Sequence, residues 1–406
     1  MKKIFIIDAH WNNRGDEAAI RAMIDELKIL FPDVEINIEI LFNEKLYQFP
    51  YEDKKINALK YKFPRKSTLL DYFIIYISNG KLAFSKEGKE FINILKQSDL
   101  VIHAPGGPSI GEIYKKAEIE YLLRLLLVKR QKKDLAFYAP SMGPFGKGKF
   151  TNYFRRKILN YAKLLCVREP ISKGYLEKLN LKNDIKVTLD SAFQHEISND
   201  ENFNILNKDT ELKKFLTSNK KIIGITITDL AWNPKYQSNT KLRDNINETF
   251  KKFINEVTNS GYSIIFIPQL FGESNDLNYM KSFANDKCFV LSDKYDCYFQ
   301  QFIISKLYAV VGMRYHSNIF SAKMCTPFVS VAYEQKMTGF MNKINLNEYC
   351  LDIKELSYDN LKKYFEKLEE NYIQYKKELE NLHEQLRKES YQTTEYIKEI
   401  LKNKDK

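Results

Sequence analysis

Short apolar runs alternate with segments of helical periodicity from the first residues onward, and this alternation most limits the folds open to the chain. Lys3 to Ala9 is such a run, Asp16 to Leu30 then sets Ile20, Met23, Ile24 and Leu27 on one helical stripe, and Ile36 to Phe42 is apolar again. Further runs follow at Leu100 to Ala104, Leu135 to Ala139, Leu164 to Arg168 and Ile185 to Leu189, with helical segments at Glu90 to Gln97 and Tyr114 to Arg130 between them. Parallel strands buried on both faces and joined by crossover helices leave this pattern, so a sheet of about six strands is expected. Residues 195–220 are polar, and the scheme then repeats with runs at Ile222 to Thr228, Tyr262 to Ile267, Phe289 to Leu291, Leu307 to Val311 and Phe328 to Val331. The expectation is an α/β protein of two doubly wound, Rossmann-like domains, 1–200 and 201–350, facing a cleft.

The remainder, 351–406, is highly charged and helical, with Leu361, Phe365, Leu368, Tyr372, Tyr375, Leu379, Leu382 and Leu386 at three- and four-residue steps. A stripe of that kind packs on something, and a coiled-coil dimer is one way to cover it. Between Asn43 and Lys89, aromatic and basic residues interleave (Tyr47, Phe49, Tyr51, Lys54, Tyr61, Lys62, Phe63, Arg65). That stretch is either a packed insertion with a basic exterior or a surface for a lipid-linked molecule at a membrane.

The 406 residues carry a formal charge of +12, which implies anionic company. The cations are scattered and no helix-turn-helix, zinc finger or aromatic RNA-binding motif occurs, so no nucleic-acid partner is expected. Phosphorylated small molecules, pyrophosphate-linked glycans and an anionic membrane face all fit. The apolar stretch after Met1 is too short for a signal-peptide core and no run reaches spanning length, so a cytoplasmic protein is expected. The five cysteines form no C-x-x-C pair and are expected as buried thiols. No histidine cluster has ligand spacing and no Asp-x-Asp occurs, so neither metal nor cofactor is expected.

Ligands of doubly wound sheets sit beyond the carboxyl ends of the strands. The first half offers His10, Asn12, Asn13, Asp16, His103, Gly106, Gly107, Ser109, Ser141, Arg168 and Asp190 there, and the second Thr228, Asp229, Gln269, Arg314, His316, Glu334 and Lys336. Each has a bland alternative: Asp16 as a helix cap, His103 as a core histidine, Arg168 as the partner of Glu169. Arg314 and His316 differ in kind. They stand two apart where a strand ends at Gly312 and a helix begins, so a fixed cation and a titratable imidazole share a helix N-terminus that favours anions.

The segment Gly312, Met313, Arg314, His316, Pro327, Tyr333 and Lys336 resembles the signature of the polysaccharide pyruvyl transferase family. N-R-G-D-E-A-A-I from Asn13, A-P-G-G-P-S-I from Ala104, A-P-S-M-G-P-F from Ala139 and V-R-E-P-I-S from Val167 agree with it. The resemblance implies a GT-B-like fold whose C-terminal helical tail crosses back to the first domain. It also implies transfer of pyruvate from phosphoenolpyruvate to a sugar as a cyclic ketal. Arg314 and His316 are then catalytic, with His316 protonating the methylene carbon, and Arg168 and Lys336 join them in binding the donor on the 201–350 side. Asn13, Asp16, His103, Ser109 and Glu112 are expected to bind the acceptor, a glycan or lipid-linked oligosaccharide, on the 1–200 side. The base is open among Asp16, Asp190 and Asp229. A GT-B glycosyltransferase using a nucleotide sugar is the rival, although Glu334 is followed eight residues later by Asn342 and not by the second glutamate of many such enzymes. A non-catalytic glycan-binding protein would have no use for an acid at the anion site.

Overall fold

A computed structural model describes residues 2–11, 13–41, 49–61, 66–107, 109–219, 221–271 and 275–403. The chain forms two compact units, the first of residues 1–12, 19–195 and 388–406, the second of residues 13–18 and 196–387. Asn12, Tyr47, Lys62, Phe63, Arg65 and Pro108, singled out above, lie outside the described residues.

The first unit holds seven strands: β1 (Lys3–His10), β2 (Glu35–Leu41), β3 (Ile56–Tyr61), β4 (Leu100–His103), β5 (Asp134–Phe137), β6 (Leu164–Val167) and β7 (Ile185–Val187). They are all parallel, in the order β3-β2-β1-β4-β5-β6-β7, and Ile6 at the centre lies opposite Ile38 on one side and Ile102 on the other. The direction in which successive strands are added reverses between β1 and β4, which is the switch point of a doubly wound sheet. Helices α1 (Arg14–Leu30), α2 (Lys66–Ile77), α3 (Lys86–Gln97), α4 (Lys115–Arg130), α5 (Lys149–Leu159) and α6 (Pro170–Glu177) make the crossovers.

Strand alternation sorts the core. Phe5 and Ile7 of β1 join Tyr72, Phe91, Leu125 and Leu176 from α2, α3, α4 and α6, while Ile4 and Ile6 join Met23, Ile24 and Leu27 of α1 on the other face. Each large apolar side chain so buried contributes about 1.5–3 kcal/mol relative to exposure. Phe49 and Tyr51 of the interleaved stretch pack inward, as a packed insertion requires: Phe49 lies 5.9 Å from Trp11, and the Tyr51 hydroxyl donates to Asp25 at 2.7 Å.

The second unit repeats the topology in six parallel strands, β8 (Ile222–Thr226), β9 (Ser263–Phe266), β10 (Cys288–Val290), β11 (Ala309–Gly312), β12 (Phe328–Ala332) and β13 (Cys350–Asp352), ordered β10-β9-β8-β11-β12-β13. Its switch point falls between β8 and β11. Helices α7 (Asn199–Lys208) and α8 (Thr210–Ser218) occupy the polar stretch in which the domain boundary is expected. Helices α9 (Thr240–Asn259), α10 (Asp276–Lys281), α11 (Cys297–Ile304), α12 (Tyr315–Lys323) and α13 (Gln335–Lys343) cover the sheet, and α14 (Tyr358–Glu370) and α15 (Tyr372–Lys402) complete the chain. The tail's apolar stripe is consumed within the chain. Phe365 meets Phe253 edge-on at 5.4 Å, and Tyr375 stacks on Tyr349 and donates to the Phe328 carbonyl at 2.8 Å. The last turns of α15 pack in the first unit, where Ile397 and Leu401 lie in the α1-side core.

One buried carboxyl in the first unit makes the fold pH-sensitive. Glu120 of α4 accepts from the Thr68 hydroxyl of α2 at 2.8 Å, and burial, helped by the charge of Asp8, raises its pKa to about 8. The unfolded chain ionises this group near the ordinary 4.5, so the folded chain holds an extra proton between the two values. Its contribution is complete below 4.5 and falls as pH rises toward 8. Glu120→Gln keeps the acceptor for Thr68 and removes the titration. Denaturant melts at pH 6 and pH 8 should therefore show the variant gaining on the native protein at pH 8, and an equal difference at both values would contradict this account.

Candidate functional site

The G-M-R-x-H segment sits at the switch point of the second sheet, where β11 gives way to α12. Thr226 at the end of the neighbouring β8 organises the junction. Its carbonyl accepts from Met313 N at 2.8 Å, and its hydroxyl accepts from the backbone of Met313 and Arg314 and bonds Ser317 Oγ at 2.8 Å. Ser317 in turn donates to the Arg314 carbonyl at 2.6 Å. Gly312 is required by crowding, since a Cβ there would collide with Asn318 Oδ1. These contacts fix Arg314 as N-cap and put His316 in the first turn of α12, where amide N–H groups point outward.

Arg314 is 7% exposed, and its guanidinium forks onto Asp276 of α10 through Nε and Nη2. Asp276 also accepts the backbone N–H groups of Gln269 and Leu270, so one carboxylate ties the end of β9 to the start of α12. Trp232 lies under the guanidinium at 5.0 Å, and the Tyr333 side chain bonds it. Burial alone would lower the guanidinium pKa, but Asp276 and Tyr333 outweigh burial and the net shift is upward. Arg314 is a permanent cation. Lys336, in the first turn of α13, pairs with Glu334 at 2.7 Å and lies 5.5 Å from the Tyr315 ring, while Glu334 accepts from Asn233 at 3.0 Å.

The first turn of α1 belongs to this same unit. Asn13 bridges Leu270, and Arg14 N donates to the Gln269 carbonyl at 2.9 Å. Asn13 is the cap here, its Oδ1 accepting from Asp16 N at 2.8 Å while its Nδ2 donates to Asp16 Oδ2 at 2.6 Å, so Asp16 supports the cap instead of forming it. Arg14 forms a buried pair with Glu17 at 2.5 Å and donates to the Asp293 carbonyl. Gly15 faces His316 so closely that any Cβ would overlap the imidazole at Nδ1 and Cγ. Two motifs three hundred residues apart in sequence thus converge, the glycine of N-R-G-D-E forming the floor under the histidine of G-M-R-x-H.

The other expected residues lie in the first unit. His103 ends β4 at that sheet's switch point, 2% exposed. Its Nδ1 faces the Ala104 carbonyl at 2.9 Å, its Nε2 faces Ser109 Oγ at 2.7 Å, and Asp8 Oδ2 is 3.6 Å away. Burial pushes the imidazole pKa down against the pull of Asp8. A neutral ring with Nδ1–H on the carbonyl then accepts from Ser109. Asp8 also takes Arg124 Nη1 at 2.8 Å, and Arg124 pairs with Glu39, so the cluster is a paired buried network. Glu112 pairs with Arg155 at 3.1 Å. Arg168 binds Asp190 at 2.6 Å, Ser141 at 2.9 Å and Glu169 at 3.3 Å. Asn13, Asp16, Arg314, His316 and Lys336 therefore share one unit, whereas His103, Ser109, Glu112 and Arg168 are elsewhere. Of the candidate bases, Asp190 is engaged by Arg168 and Ala192 N, and Asp229 accepts from Ala231 N. Thr226, Trp232 and Asp276 were not singled out in the sequence; only the anion-pairing demand of a buried Arg314 pointed to a carboxylate. Among the described residues no group of three or more His, Cys, Asp or Glu could hold a metal ion.

Two parallel sheets, each with a switch point in its strand order, define a GT-B-like α/β protein, and solved structures of that kind are similar to it. A UDP-GlcNAc 2-epimerase from Neisseria meningitidis, bound to UDP-GlcNAc, aligns over 98% of this chain and 100% of its own with a TM-score of 0.56 at 14% identity. A sucrose-phosphate synthase from Thermosynechococcus elongatus aligns over 99% and 100% with a TM-score of 0.57 at 9% identity. These show the fold. Residues 13–335 match the polysaccharide pyruvyl transferase family, and the chain belongs to it. It is a transferase with a part in modifying polysaccharide. The amylovoran biosynthesis protein AmsJ of Erwinia amylovora is 26% identical over 382 residues, 87% of this chain and 89% of that protein.

The packing of Gly15 is directly testable. Gly15→Ala should displace the imidazole or the first turn of α1, at a cost of roughly 1–3 kcal/mol for overpacking. Denaturant unfolding and the imidazole NMR resonance of His316 check it; a variant with native stability and an unmoved His316 signal would show that the site tolerates the methyl.

Proposed function

We propose that the chain transfers pyruvate from phosphoenolpyruvate to two hydroxyls of one sugar in a surface polysaccharide or its lipid-linked precursor, as a cyclic ketal with release of phosphate. The observation that carries this reading is His316, held by Gly15 at a helix N-terminus beside the fixed cation Arg314. Phosphoenolpyruvate brings a carboxylate and a phosphate. Asp276 and Tyr333 occupy part of the five-donor guanidinium fork, and the remaining N–H groups suit a carboxylate or phosphate oxygen. Lys336 adds a second cation from the start of α13. Gln269 Nε2 is buried with no hydrogen-bond partner among the described residues, a donor open to the same ligand.

In the proposed sequence His316 protonates the methylene carbon, C2 becomes electrophilic, and the first sugar hydroxyl adds as it gives up its proton. Phosphate then leaves C2, taking its bonding electron pair, and the second hydroxyl closes the ketal. Of the two hydroxyl protons, one replaces that delivered to the methyl group and the other accompanies phosphate. Asp16, next to Gly15 in the turn of α1 that packs against the His316 imidazole, is the base we favour for one of them. Arg168 lies in the first unit, where its guanidinium pairs with Asp190. Arg314 and Lys336 supply the charge that a metal ion would otherwise supply. Phosphate release should accordingly persist in chelator, and activity lost in chelator and restored by Mg²⁺ or Mn²⁺ would contradict this.

The decisive assay measures phosphate release from phosphoenolpyruvate with a panel of hexose-bearing acceptors and mass detection of a pyruvyl ketal. His316→Ala should lower turnover by about 10²–10⁴ while donor binding persists. Arg314→Ala would leave Asp276 buried and unpaired at about 3–5 kcal/mol, so Arg314→Lys is the better probe. It keeps the charge, loses the fork and should mainly weaken donor binding. If His316→Ala turns over normally and only needs more donor, the imidazole binds and the acid is another group.

A further inference from the structure

On the outer layer of the first unit, α2, α4 and α5 present an unusual surface to solvent. Leu70, Phe73 and Ile77 of α2, at i, i+3 and i+7, are 60%, 50% and 57% exposed. Ile119 of α4 is 55% exposed, and Phe150 and Tyr153 of α5 are 77% and 52% exposed. Hydrogen bonds place these residues side by side. Thr68 of α2 donates to Glu120 of α4, and Arg155 of α5 binds Glu118 of α4 at 2.6 Å, so Ile119 projects outward between the two flanking helices. The loop after α2 adds Leu82 and Phe84, 57% and 71% exposed. Scattered apolar residues on a surface need no explanation, but a run across three neighbouring helices marks an interaction site.

The charges identify the partner. The acidic residues of these helices, Asp71, Glu118 and Glu120, are all buried. Asp71 turns inward to accept Phe84 N at 2.7 Å and Ser85 N at 3.0 Å, holding the loop that displays Leu82 and Phe84. The charges left exposed on the helices are the cations Arg130 and Lys149, and around the loop Lys81, Lys86 and Lys89 outnumber the exposed Glu90 and the half-exposed Glu87. Beside Tyr153 a groove of about 460 Å³ is lined by Lys129, Arg156, Lys157 and Lys182, with no carboxylate on its walls. An apolar face with a predominantly positive rim is the composition of a surface that lies in the headgroup region of an anionic bilayer. A second copy docking on the same patch would bring like-charged rims together. No helix among the described residues is long and apolar enough to cross a membrane, so contact is in the plane.

We propose that α2, α4, α5 and the Leu82–Phe84 loop form a docking surface for an anionic lipid bilayer. Vesicle binding needs no turnover, so the test stands apart from the proposed reaction. The full chain should float with vesicles of phosphatidylcholine and phosphatidylglycerol, and about tenfold less with phosphatidylcholine alone or in about 0.5 M salt. Phe73→Glu/Ile77→Glu should reduce anionic-vesicle binding about tenfold at unchanged melting temperature. Should that pair fail to fold, Phe84→Glu in the loop carries the same test. Absence of binding to anionic vesicles, equal binding to both compositions, or undiminished binding by a folded variant would each overturn the proposal. So would sedimentation showing a dimer that Phe73→Glu dissociates, with vesicle binding unaffected.

Discussion

The carboxylate of Asp276 is the constraint on which the second unit's switch point depends. A guanidinium buried as deeply as that of Arg314 is stable only when paired, and the pairing carboxylate must itself have its lone pairs met. Asp276 meets both conditions by taking Arg314 on one side and the Gln269 and Leu270 amides on the other. The end of β9, the start of α10 and the N-cap of α12 are thereby held at one point. The cation is thus placed by a rigid network.

The same logic explains why α12 is buried all round. An amphipathic helix would turn one face to water, but here even Ser317, Asn318 and Ser321 are fully buried. Each has an internal partner: Ser317 bonds Thr226 and the Arg314 carbonyl, Asn318 donates to Ser330 at 2.7 Å, and Ser321 caps back onto the Ser317 carbonyl. Polar residues in this helix are internal joints. Their role is to set the angle at which His316 is presented.

Much of the architecture was readable from periodicity, because strands buried on both faces leave uninterrupted apolar runs. β3 escaped notice since its sequence, Ile56 to Tyr61, mixes Asn57 and Lys60 into an edge strand, and β13 because it has three residues. α7 and α8 escaped notice in the polar stretch around the domain boundary because each buries little apolar surface, chiefly Leu206 and Leu212. In the candidate site the motif containing Arg314 and His316 was legible, as was the anion-favouring helix start. The partnership of Gly15 with His316 was not, since a glycine in a helix's first turn has many explanations and only three-dimensional packing selects one. Arg168 illustrates the converse. A strand-end position is shared by ligand-binding and structural arginines, and the sequence does not mark Asp190 as the carboxylate that pairs with this one.

The way the chain weaves between its two units has a consequence for its synthesis. Ile397 and Leu401 lie in the same buried cluster as Ile4, Ile6 and Met23. The α1 face of the first sheet is therefore missing part of its cover until α15 has been made, hundreds of residues after β1 leaves the ribosome. During that interval the N-terminal sheet is a nascent structure with an open hydrophobic flank, the kind of intermediate that chaperones hold. The final helix acts as the closing clasp of the domain that was begun first.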